Sequence, residues 1–101
     1  MNIEDQLNFQ EDKPAVLTVL KTDQLSLLAI GLLQDQILKK HKTAGSASLI
    51  VMKGAILFEL GSETIPLNTG DVFHIPPNEL HQVIGSDSKN IFILLKENTI
   101  I

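Results

Sequence analysis

The chain has 101 residues, a net charge of −4 and a 44% apolar share, and its aromatic residues are four Phe. That length suits one domain, the apolar share argues against disorder, and the negative charge removes the electrostatic drive toward nucleic acid. The sequence contains no cysteine, which excludes disulfides and thiolate chemistry and fits a reducing interior.

Residues 1–13, "MNIEDQLNFQEDK", read as a polar, acidic arm without the apolar run of a signal peptide. Ile3 and Leu7 stand four apart, which allows a helical turn; an extended arm packed on a partner chain is an equal alternative. From Ala15 the pattern is strand-like. "AVLTVLK" is rich in β-branched residues, and "LSLLAIGLL" follows after the polar break "TDQ". The run "LLAIGLL" is too short to span a membrane, so a soluble, cytoplasmic protein is expected.

Further runs follow in order: "QILKKHK", "SASLIVMK", "AILFEL", "ETIPL", "DVFHIP", "HQVIG" and "NIFILLK". Turn residues separate most of them: Lys53-Gly54, Gly61-Ser62, "NTG" at residues 68–70 and "GSDSKN" at residues 85–90. Strands at roughly eight- to twelve-residue spacing, without helical patterns between them, predict an all-β sandwich or barrel. "LIVM" and "AILF" are apolar on both faces. In a chain this small, that predicts a sheet packed against a second subunit. Residues 14–101 are read as one barrel domain.

The stretch "GDVFHIPPNELHQV" holds two of the three histidines. Gly70 allows a tight turn into a strand over residues 71–75. Pro76 and Pro77 end that strand, because proline donates nothing to a ladder. Asn78 tolerates unusual turn angles, and His81 opens the next strand near the rim of the sheet.

The spacing G-x5-P-x-N-x2-H resembles the second motif of the cupin superfamily, usually G-x5-P-x-G-x2-H-x3-N. Gly70, Pro76 and His81 match; Asn78 stands at the second glycine and Gly85 at the final asparagine. The first cupin motif reads G-x5-H-x-H-x3–4-E-x6-G. Counting back from Gly54 places His41 and Thr43 at its histidines and Ala47 at its glutamate. The resemblance covers residues 20–96. It implies a double-stranded β-helix, or jelly-roll, of about ten short strands, commonly dimeric, so a homodimer is expected.

Cupin metal sites use three histidines and one glutamate. Of those four positions this chain keeps His41 and His81, and His41 lies among lysines in "KKHK". Positive neighbours and a missing carboxylate oppose a cation. The expectation is therefore no metal and no cofactor. His74 would supply a third nitrogen if it pointed inward, or be a half-buried strand residue if it did not.

A pocket with apolar walls and a few convergent polar groups is the usual form of a small-molecule site. The candidate ligand-binding residues are His41, Thr43, His74 and His81. The alternative for His41 and His81 is a hydrogen-bond network closing the barrel mouth. If Lys39 faced the pocket, an anionic ligand such as a carboxylate would be favoured.

No nucleophile elbow and no Gly-rich phosphate loop occurs in the sequence. The pairs Glu4-Asp5 and Glu11-Asp12 read as solvated charge. Catalytic residues stay unassigned. Two other functions remain open: a metal-dependent enzyme of oxygenase or isomerase type with a reduced histidine set, and a sensor or regulatory subunit. No nucleic-acid or membrane partner is expected.

Overall fold

Short apolar runs between turn residues become strands. The computed structural model describes residues 1–42 and 44–98, less the side chain of His41. Among the described residues there are nine strands: β1 (Ala15–Lys21), β2 (Leu25–Leu33), β3 (Ile37–His41), β4 (Ala47–Lys53), β5 (Ala55–Leu60), β6 (Glu63–Asn68), β7 (Val72–Ile75), β8 (His81–Gly85) and β9 (Lys89–Glu97). They form a five-stranded sheet, β1-β2-β9-β4-β7, facing a four-stranded sheet, β3-β8-β5-β6. Every pairing is antiparallel. Only β1–β2 and β5–β6 join sequence neighbours within a sheet; the other connections cross between sheets. This is the wiring of a double-stranded β-helix. No helix among the described residues is long and apolar enough to cross a membrane.

Strand alternation builds the core. Ile30 and Leu32 of β2, Leu49 and Val51 of β4, and Phe92 and Leu94 of β9 face inward from the larger sheet. Ile56, Phe58 and Val83 meet them from the smaller one. Each such side chain contributes about 1.5–3 kcal/mol on burial.

The opposite face of the larger sheet is also apolar, and the chain covers part of it with its own arm. The short helix α1 (Ile3–Gln6) begins at Asn2, whose side chain accepts from Asp5 N at 3.1 Å. Leu7 is buried with Ala15, Ala29 and Ile91, and Ile3 and Phe9 pack against them. Gly31 makes the notch: a Cβ there would stand 2.6 Å from Leu7 Cδ2 and 3.0 Å from Phe9 Cε1. Lys89 Nζ lies 5.6 Å from the centroid of the Phe9 ring. Of the two arm readings the sequence allows, the helical turn forms, and it packs within the chain. Beyond the arm, Ile50, Val72 and Leu95 remain exposed on the larger sheet.

Two amides hold the connections. Gln36, in the β2–β3 turn, accepts from Leu33 N at 2.8 Å. Its Nε2 donates to Gln10 O at 2.6 Å, Glu11 O at 3.2 Å and Lys13 O at 3.3 Å. It thus ties the end of the arm to the barrel. Asn90 is fully buried at the start of β9. Its Oδ1 accepts from Ala55 N at 2.9 Å and Asp87 N at 3.0 Å. Its Nδ2 donates to Leu32 O at 3.0 Å and Asp87 O at 2.9 Å. Gly54 turns beside it with φ 73°, in space that a Cβ would share with Asn90 Oδ1.

Candidate functional site

The β7–β8 connection forms as the sequence predicts. Gly70 has φ 92° and Asn78 φ 63°, both left-handed. Asn68 N donates to Asp71 Oδ2 at 2.7 Å, which closes the turn before β7. His81 then opens β8, only 2% exposed. Its ring stacks on Phe58, with centroids 5.3 Å apart and planes 22° apart. Nδ1 lies 3.2 Å from Glu79 O. A carbonyl only accepts, so this bond requires the proton on Nδ1.

The four sequence-derived site residues do not assemble into one described cluster. His41 is the Cα partner of His81 across β3 and β8. Its side chain, and Thr43 altogether, lie outside the described residues. His74 is exposed on the outer face of its strand and does not enter the barrel interior; there it borders a surface depression of about 390 Å³ with Ser48 and Lys96. Ile75 pairs with Ala47 and Phe73 with Leu49, and both of those partners belong to the core. Alternation therefore turns His74 outward, opposite Ser48. The interior beside His81 is closed: the gap among Leu49, Phe58, Val83 and Phe92 has no room for a water molecule.

A surface depression of about 330 Å³ borders His81 together with Lys40, Glu59 and Gln82, and a further opening lies apart from both His74 and His81. A cleft of about 560 Å³ runs between the two sheets at their β1 and β3 edges. Val16, Leu28, Ile30 and Leu94 give it apolar walls. Asp12, Lys13 and Pro14 of the tethered arm form one lip. On β3, the consecutive residues Ile37, Leu38 and Lys39 all border it; β3 is an edge strand, and its register shifts between Leu38 and His41. Lys96 completes the lining. It is half-buried, level with the buried Ser26 and Ala47, two residues beyond inward-facing Leu94. Leu38 and Leu94 border both the cleft and the closed interior, so they stand between the cleft and His81. Sequence reasoning weighed Lys39 and missed Lys96, although alternation along "NIFILLK" points both Leu94 and Lys96 the same way.

The family model for the cupin domain matches residues 33–95. The chain belongs to the cupin family. Solved cupin-type structures align along nearly its whole length. KdgF from Halomonas sp. shares 21% identity at a TM-score of 0.84, over 99% of this chain and 94% of that one. An uncharacterized conserved protein with a double-stranded β-helix domain from Klebsiella pneumoniae shares 17% at 0.89, over 96% and 87%. An RmlC-like cupin from Shewanella frigidimarina shares 16% at 0.80, over 93% and 84%. At these identities the likeness shows the fold. No curated protein matches the sequence.

As a cupin, the chain departs from the metal-binding pattern at an informative place. Ala47 occupies the glutamate position of the first motif, and it is buried in the core with Ile75 and Leu94. A methyl group there supplies neither a donor nor the negative charge a divalent ion wants. Among the described residues no three His, Asp or Glu side chains converge. The described donor set does not fit the family's metal. By the same motif spacing, Asp35 falls on the opening glycine and holds φ 65°, so the turn geometry persists where the donors have changed.

Proposed function

We propose that this cupin binds a small organic molecule in the cleft between its β1 and β3 edges, without requiring a metal. The cleft itself carries the reading. Its volume of about 560 Å³ is within the ordinary range for small-molecule sites, and its mix of apolar walls and few polar groups is the usual one. The filled interior beside His81 supports placing the ligand in this cleft rather than inside the barrel. Ala47 at the glutamate position supports binding that does not run through a metal.

The test is methyl-detected NMR with a library of small organic compounds. Binders are expected to shift the Leu28, Ile30, Ile37 and Leu94 methyl signals. Val16→Trp, at an exposed position that borders the cleft, should abolish those shifts. Binders that leave these methyls unmoved would remove the reading. Exposed Ile50, Val72 and Leu95 on the larger sheet support a homodimer as part of this proposal. Sedimentation should then read twice the chain mass of 11.1 kDa.

A further inference from the structure

The cleft has a charge opposite to that of the protein around it. The chain carries a net −4, yet three of its eight lysines, Lys13, Lys39 and Lys96, border the cleft against one acid, Asp12. Resting on the cleft as the binding site, we propose that its ligand is an organic carboxylate with an apolar body.

Each part of that description answers a feature of the cleft. The floor of Leu28, Ile30 and Leu94 has no hydrogen-bonding side chain, so it suits an aliphatic or aromatic body rather than a polyol. Lys96 follows Leu94 along β9 and borders the cleft beyond that floor. A cation beside a low-dielectric wall attracts an anion more strongly than one in open water. The lysine stems add apolar cover while the charged heads stay near solvent. The sequence contains no arginine, so the cleft offers point charges and no guanidinium fork. That suits a singly charged headgroup better than a phosphate, which favours bidentate donors.

The probes are octanoate, 1-octanol and octyl phosphate, titrated into the full chain with methyl-detected NMR. Octanoate is expected to shift the Leu28, Ile30 and Leu94 methyls and to bind about tenfold tighter than 1-octanol, the combined effect of several modest ion pairs. Added salt should narrow that gap, because exposed charges are screened. Lys96→Gln and Lys39→Gln should each weaken octanoate about two- to fivefold and leave 1-octanol unchanged. Backbone amide spectra of the variants check that they remain folded.

If 1-octanol binds the cleft as tightly as octanoate, the carboxylate proposal fails and the small-molecule reading stands. Tighter binding of octyl phosphate than octanoate overturns the choice of headgroup. If none of the three probes moves the cleft methyls, the carboxylate proposal is overturned; if the compound library also leaves them unmoved, the small-molecule reading fails with it.

Discussion

Replacing Asn90 by alanine should cost more stability than any surface change of equal size. Asn90 makes four hydrogen bonds, two as acceptor and two as donor, in a fully buried site. They join the start of β9 to β2, to the head of β5 and to the loop at Asp87. The alanine variant loses all four and strands the Ala55 N–H and the Leu32 carbonyl. At about 1 kcal/mol net per bond, and more where a buried partner is orphaned, the loss is about 3–5 kcal/mol. A domain of this size has about 5–15 kcal/mol in total. Urea unfolding should show the midpoint falling by about 2 M with an unchanged slope. The thermal midpoint should fall by roughly 15–30 °C. Asn90→Asp keeps the acceptors but sets a carboxylate against two carbonyl oxygens, and it should be at least as destabilising. A loss under about 1 kcal/mol at constant slope would refute the clamp.

Gln36→Ala should release the end of the arm. Amide exchange at residues 10–14 is expected to quicken, and octanoate affinity to fall about two- to threefold as the Lys13 lip loosens, at a stability cost of about 1 kcal/mol. His81→Ala removes a buried ring stacked on Phe58 and should lower stability by about 2–4 kcal/mol in urea unfolding. Binding in the cleft should change less than about twofold, since Leu38 and Leu94 stand between it and His81; loss of binding in a folded variant would return the site to the histidine.

The strands were legible because their evidence is local. Each run is short, β-rich and bounded by turn residues, and Gly70, Asn78 and Gly54 take the left-handed angles their turns require. In the structure most of "LSLLAIGLL" is covered on both faces of β2. Sequence did not identify the cover. The notch at Gly31 receives Leu7 and Phe9, and that fit exists only once β2 and the arm meet.

The site was legible only in part. Periodicity assigns sides within one strand, and the Pro76-Pro77 turn breaks the count between His74 and His81. Pairing of β7 with β4 sets the side of His74, through Ile75 against Ala47. Asn90 looked like the end of a polar turn. Its partners come from three separate segments, Leu32, Ala55 and Asp87, which no local pattern connects.

By itself, then, the sequence determined the cupin barrel, the turns between its strands and the alanine where a metal-binding carboxylate would stand. These depend on residue type and short spacing, and both survive in one dimension. The tertiary structure decided which face His74 takes, how tightly the interior closes around His81 and where the open cleft lies. These depend on how distant strands register and how side chains fill the space between two sheets. Three lysines spread from residue 13 to residue 96 border one cleft only because β1, β3 and β9 are brought together by the fold.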